Sequence, residues 1–159
     1  MSGAVSIAEE SPDQPAVIAL LKAGDAYAAA LYPAESNHGS ALDELLQPNV
    51  TFLVARLDGA VVGTGAIVAK DGYAEMKRVF VAETARGLKL GSKLLRAIEH
   101  VAAGKGLSIV RLETGVSQPE ALGLYRKAGY VQVEPFGDYD PDPLSIFMEK
   151  SLDRERVSP

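Results

Sequence analysis

Apolar positions along the chain change period several times, and each change marks an element. Ser11, Pro12, Asp13 and Gln14 read as a capping box with proline at the first helical position. Apolar residues then fall at Val17, Leu20, Leu21, Ala28 and Leu31, a helical stripe that Pro33 stops. Residues 32–40 read as a polar loop, and 41–46 predict a short second helix ended by Pro48. From Val50 the period shortens. Val50–Leu57 and Ala60–Ala69 are rich in valine and alanine and flank Asp58-Gly59, a strong signal for a tight hairpin. Lys70-Asp71-Gly72 turns the chain into a third strand, 73–81. A helix over 90–103 carries Leu94, Leu95, Ile98, Val101 and Ala102 on one side and ends at Gly104 and Gly106. A strand over 107–113 follows, then a helix over 119–128 stopped by Gly129. Strands over 130–134 and 145–150 flank a loop rich in proline and aspartate. Helices, a three-strand meander, strand–helix alternation and a final hairpin predict an α+β domain with a mixed, mostly antiparallel sheet flanked by helices. The domain is expected over residues 4–152, with 153–159 a frayed tail.

Composition narrows the class. With 159 residues the chain is long enough for one continuous core. Its 47% hydrophobic and 23% charged residues have the balance of a soluble globular protein. A net charge of −5 and the lack of any long Lys/Arg block argue against nucleic acid as a partner. Without cysteine, disulfides, thiolate nucleophiles and zinc–thiolate sites are excluded. The first residues have neither a basic start nor a long apolar run, and no apolar run approaches the ~20 residues of a membrane span, so a cytoplasmic setting without membrane contact is expected. The sequence selects no oligomeric state and leaves room for a homodimer.

Chemistry concentrates in residues 79–92: a strand, a short loop, a glycine-containing turn and an amphipathic helix. Such a turn aims backbone N–H groups and the positive end of a helix dipole at one point, which suits a phosphate. The alternative is an ordinary strand-to-helix turn. Two other phosphate motifs fail on spacing. Gly87 and Gly91 are separated by three residues where a P-loop needs four, and Ser92 stands before Lys93. Gly63-Thr64-Gly65 opens like a dinucleotide fingerprint, but Val68 occupies the third glycine position. The run Asp138-Tyr139-Asp140-Pro141-Asp142, with Glu149 at the twelfth position, imitates a calcium loop, but Pro143 replaces its required glycine. No metal is expected.

Arg86-Gly87-Leu88-Lys89-Leu90-Gly91 resembles the acetyl-CoA signature of the GNAT superfamily of N-acetyltransferases, Arg/Gln-x-x-Gly-x-Gly/Ala, with Lys89 in place of the first glycine. If the backbone there is left-handed, lysine costs roughly 1–2 kcal/mol. Its ammonium could instead serve a phosphate of CoA. Gln118-Pro119-Glu120-Ala121-Leu122-Gly123-Leu124-Tyr125-Arg126-Lys127-Ala128-Gly129-Tyr130 is similar to the family's later helix, Asn-x-x-Ala-x-x-Leu-Tyr-x-x-x-Gly-Phe. The resemblance runs over nearly the whole chain and implies the GNAT fold, acetyl-CoA as co-substrate, and direct attack of an amine within a ternary complex.

The resemblance also implies roles. The backbone of Phe80 and Val81 would hold the pantetheine arm and the thioester oxygen. Arg86, Gly87, Leu88, Lys89, Leu90, Gly91, Ser92 and Gln118 would bind the rest of the cofactor. Tyr125 matches the general acid beside the CoA sulfur; packing of its helix on the sheet is the alternative. The family often uses a carboxylate base on the strand matching 73–81, where Glu75 stands, often with a bulge that parts this strand from the next. Glu75 could equally pair with Lys77 or Arg78, or face solvent. Glu35, Ser36, Asn37 and His38 fall in the loop that lines the acceptor pocket, with His38 a second candidate base or equally a solvated loop histidine, and Asp138 lies in another acceptor-facing loop that could equally be a solvated turn. His100 reads as a surface residue. A non-catalytic acyl-CoA-binding or sensing module of the same fold is the rival expectation.

Overall fold

The computed structural model describes residues 4–31 and 41–152. The elements run β1 (Val5–Glu9), α1 (Pro15–Leu31), α2 (Leu42–Leu45), β2 (Val50–Leu57), β3 (Ala60–Ala69), β4 (Ala74–Val81), α3 (Leu90–Gly104), β5 (Ile109–Gly115), α4 (Pro119–Lys127), β6 (Val131–Val133) and β7 (Ser145–Ser151), with a 3-10 turn at Glu83–Ala85. Seven strands form one sheet in the order β1-β2-β3-β4-β5-β7-β6. All neighbours are antiparallel except β4 and β5. The α+β architecture expected from the periodicity is the one observed.

Two departures lie near the N-terminus. The expected elements did not include β1, which pairs with β2 at the sheet edge. Its Val5 and Ile7 alternate inward onto the cluster around Ala55, Val62 and Leu94, enough for one side of a short strand. The first helix starts at Pro15 rather than Pro12. Ile18 N–H donates to the Gln14 carbonyl at 2.8 Å, and Pro15 takes the first helical position, where a missing N–H costs nothing. Ser11 organises the turn before it, its Oγ accepting from Asp13 N–H at 3.1 Å. Arg56 ties this turn to β2 through Nε to Glu10 Oε2 at 2.9 Å and Nη2 to Glu10 Oε1 at 2.8 Å. Those bonds, with help from Gln14, hold the Glu10 carboxyl down at a pKa of about 2.

The sheet divides the core. On one face α1 and α2 bury Val17, Leu21 and Leu45 against Phe52, Val54 and Ala66. On the other, α3 and α4 bury Leu95, Ile98, Leu122 and Tyr125 against Leu53, Ile67, Met76 and Leu112. Gly63 and Gly65, which fail as a dinucleotide motif, serve this second packing. A Cβ on Gly65 would lie 3.0 Å from Ile98 Cδ1, and one on Gly63 3.2 Å from Leu94 Cδ1, so both let α3 lie flat on β3.

Candidate active site

The site begins with a break in the sheet. β4 pairs with β3 along its length, from Ala74 to Val81, but with β5 only through Ala74, Glu75 and Met76. Beyond Met76 the two parallel strands part. The β3–β4 register shifts between Thr64 and Ala66, which face Phe80 and Lys77, so Arg78 and Val79 together oppose Gly65. This is a bulge, with Arg78 in left-handed backbone at φ 58°. Thr64 fixes it, its hydroxyl donating to the Arg78 carbonyl at 2.7 Å. Backbone groups of β4 that point toward β5 past this position have no strand ladder, leaving donors and acceptors for an extended amide-bearing ligand.

The turn after β4 meets the needs of an anion. Gly87 has φ 89°, and Lys89 is the N-cap of α3 in left-handed backbone, φ 59° and ψ 28°. No side chain caps this helix and no acidic residue sits in its first turn. Its first helical bond of this kind runs from Lys93 N–H to the Lys89 carbonyl at 3.2 Å, so the preceding N–H groups stay outside the helical ladder, beside the positive dipole end. Arg86, Gly87, Leu88 and Lys89 are exposed along the approach, while Leu90 is buried as the anchor of the helix and Ser92 is half-buried. Gly91 has a separate duty. A Cβ there would lie 2.9 Å from Leu124 Cδ2, so its absence lets α3 and α4 touch. Gln118 is the N-cap of α4, with no capping bond from its side chain.

Tyr125 lies on α4 on the α3 side of the sheet, 7% exposed, its ring 6.1 Å from Tyr130 in a T-shaped contact. Burial, and then the charge of Glu113, push its hydroxyl up to about 12. It therefore keeps its proton throughout the physiological range. Glu75 faces the other way. Its register partner Val68 and its neighbour Lys77, opposite Ala66, place it on the α1 face, and it is 4% exposed. It pairs with Lys77 rather than Arg78. Lys77 Nζ is 3.5 Å from Glu75 Oε2, and the Tyr139 hydroxyl donates to the same oxygen at 2.7 Å. Lys77 Nζ donates to the Tyr139 oxygen at 2.9 Å, closing a ring of three groups. Burial and the carboxylate of Glu75 push the Tyr139 hydroxyl far above its ordinary range.

These residues wall a cavity of about 740 Å³. Glu44 of α2, Lys70 and Asp71 of the β3–β4 turn, and Asp138 and Tyr139 of the β6–β7 loop line it with Glu75 and Lys77. The loop is held down by aromatic packing: Phe136, Tyr139 and Phe147 lie 5.3–5.7 Å apart, and Tyr73 packs on Phe136 at 5.7 Å. Arg111 sits over the Tyr73 ring at 4.6 Å and is bonded to Glu149 at 2.9 Å. Asp138, expected on the acceptor side, is thus in the cavity with Glu75. Asp142 instead accepts Leu144 N–H at 2.9 Å and shapes the turn into β7. Glu35, Ser36, Asn37 and His38 lie outside the described residues. His100 is exposed on α3.

Three participants receive no site role from the sequence pattern: Tyr139 lies in the aspartate-rich run, Lys77 is only a partner for Glu75, and Glu113 is one strand residue among others. Glu113 accepts the Ser145 hydroxyl at 2.7 Å, and its charge acts on both Tyr125 and Tyr139. The only available signal was the alternation of β5, which puts Glu113 on the face of Arg111.

A sheet parted beside an uncapped helix start, with a carboxylate on one face and a buried tyrosine on the other, leaves room for an extended, anion-bearing ligand. Residues 17–130 match the acetyltransferase (GNAT) family, and the chain belongs to it. It is 53% identical over 150 residues to the IAA acetyltransferase of Azospirillum brasilense, covering 93% of this chain and 98% of that one. A crystal structure from Klebsiella pneumoniae, described as an acyl-CoA N-acyltransferase, superposes with a TM-score of 0.81 at 40% identity, over 93% and 97% of the two chains. The PaiA N-acetyltransferase of Thermoplasma acidophilum, solved in complex with coenzyme A, shares the fold at 21% identity, with a TM-score of 0.74 over 93% and 99%. Among the described residues no helix is long and apolar enough to cross a membrane.

Proposed function

We propose that the protein moves the acetyl group of acetyl-CoA to a primary amine of a small molecule or peptide end, by direct attack while both substrates are bound. The observation that carries this reading is the gap between β4 and β5. It opens where Glu75 faces a cavity on one side of the sheet and Tyr125 stands on the other. The cavity volume suits a small ligand, and a structural neighbour holding coenzyme A supports the co-substrate.

The pyrophosphate would rest on the backbone of residues 87–92, with Arg86, Lys89 and Gln118 near the cofactor's path. The pantetheine amides would complete the ladder that Phe80 and Val81 lack. An amine enters as an ammonium, whose ordinary pKa near ~10 leaves little nucleophile at neutral pH. Glu75 takes one proton. The amine nitrogen then attacks the thioester carbon, the C–N bond forms, and the C–S bond breaks. The second proton lost by the nitrogen replaces the one that Tyr125 gives to the departing sulfur. Backbone N–H groups at the bulge would stabilise the oxyanion between the two events.

The test is release of the CoA thiol across a panel of amines, with Tyr125→Phe beside the wild type. The variant should hold acetyl-CoA as tightly while turning over roughly 10²-fold more slowly. Unchanged turnover with chemistry rate-limiting would make Tyr125 a packing residue. Tight acetyl-CoA binding without thiol release for any amine would make the protein a sensing module.

A further inference from the structure

Arg78 holds the bulge of β4 at a cost. Left-handed backbone is unfavourable for a residue with a Cβ by about 1–2 kcal/mol, and such strain collects at functional positions. Its guanidinium reaches under α1, where Nη1 donates to Asp25 Oδ1 at 2.6 Å. The two partners are unequally placed. The Asp25 side chain is 61% exposed, whereas that of Arg78 is only 12% exposed. An ion pair with so hydrated a carboxylate contributes little. Meanwhile, among the described residues, the Arg78 Nε–H is buried with no hydrogen-bond partner, a condition that native proteins rarely leave unanswered. That nitrogen has therefore given up its water and, among the described residues, gained no acceptor in return.

A guanidinium presents its Nε and Nη donors as a planar fork that fits a carboxylate or a tetrahedral oxyanion. Arg78 stands three residues from Glu75 and next to Lys77 on the strand that lines the gap. The contact with Asp25 of α1 places its charged end on the face of the sheet that carries Glu75. At roughly 3.3 Å per residue the two Cα atoms are about 10 Å apart, a span that a long arginine arm and a small molecule can bridge.

We propose that Arg78 recognises an acid group on the acceptor, so that the substrate is a small zwitterion: a primary amine that also carries a carboxylate or a tetrahedral oxyanion. The acid group takes the fork of Arg78, displacing or joining Asp25, while the amine is presented to Glu75. This deepens the acetyl-transfer reading and rests on it.

The experiment compares amines that differ only in the acid group: alanine, 1-aminoethylphosphonate and ethylamine, then tyrosine and tyramine. The readout is CoA-thiol release by the full chain saturated with acetyl-CoA. The acid-bearing member of each set should have a kcat/KM about 10- to 100-fold higher, the worth of a hydrogen bond to a charged group. Comparing carboxylate with phosphonate tells which oxyanion is read. In Arg78→Gln the ratio within each set should collapse toward one, a measure that a general loss of activity does not move. Asp25→Asn, which removes the competing carboxylate, should lower KM for the acid-bearing amines. A wild type that uses ethylamine and tyramine as well as the zwitterions would overturn the proposal, as would a preference that survives Arg78→Gln. If acetyl-CoA binds but no amine is acetylated, the transfer reading fails on its own account. Calorimetry of the same amines with the CoA-loaded protein then decides the role of Arg78: tighter binding of the zwitterions that Arg78→Gln abolishes upholds it, and equal or absent binding overturns it.

Discussion

A carboxylate with so little access to water needs partners, and Glu75 has two of different kinds. Lys77 brings positive charge, and Tyr139 brings a neutral hydroxyl that is harder to ionise than an ordinary tyrosine and so remains a donor. Both hold the carboxylate in place on the cavity wall. Replacing Glu75 by glutamine keeps the shape and removes the basicity. The variant can then use only amine that is already neutral, a fraction that rises tenfold per pH unit below the amine's own pKa. Its rate should fall most at low pH and partly recover as pH rises, steepening the pH–rate profile. Steady-state rates for Glu75→Gln across pH 6–10 decide the matter. A wild-type rate with a wild-type profile would move the base elsewhere, with His38 or bulk water next.

At the scale of elements, what matters most is how β4 and α3 begin and end. α3 starts on a lysine whose backbone would suit glycine, the position where the family signature has one. Lys89 is exposed and makes no capping bond, so among the described residues nothing its side chain touches offsets the strain. Lys89→Gly should therefore stabilise the protein by roughly 1 kcal/mol, read as a higher urea midpoint at unchanged slope. If the ammonium also serves a CoA phosphate, the same variant should bind acetyl-CoA more weakly. Stability and affinity then move in opposite directions. A lower urea midpoint would show that the lysine contributes something the backbone geometry does not reveal. The neighbouring elements were legible because their apolar periods are clean: β2 and β3 fall on the expected residues, and α3 runs one residue longer, to Gly104. β1 was not, because five residues at an edge bury only one side. The start of α1 was misplaced because Pro12 and Pro15 satisfy the same rule, and tertiary contacts of Glu10 and Gln14 with Arg56 decide between them.

For the whole molecule, the sheet separates the two halves of the proposed site. Most of the proposed cofactor half could be read from sequence because its residues are local, a strand end, a turn and the first turn of a helix within residues 79–92, with Gln118 and Tyr125 added from α4. The acceptor half was legible only in part, through Glu75 and Asp138. Glu75 meets Tyr139 across 64 positions, and only the aromatic packing of Phe136, Tyr139 and Phe147 brings the β6–β7 loop over β4. No local period encodes that contact. The same division governs how ligand binding feeds back on folding. A cofactor lying on the turn before α3, along the end of β4 and beside Tyr125 of α4 touches elements that come together only in the native state, and the unfolded chain offers it nothing comparable. Acetyl-CoA at a hundredfold excess over its dissociation constant should then stabilise the fold by about 2.7 kcal/mol. In a chain of this size, at about 2–4 °C per kcal/mol, that corresponds to a rise in Tm of roughly 5–11 °C. Thermal melts with rising acetyl-CoA should show a shift that grows with the logarithm of concentration once the site is filled. The absence of any shift at millimolar acetyl-CoA would mean that the gap between β4 and β5 and the uncapped start of α3 do not form a cofactor site in this chain.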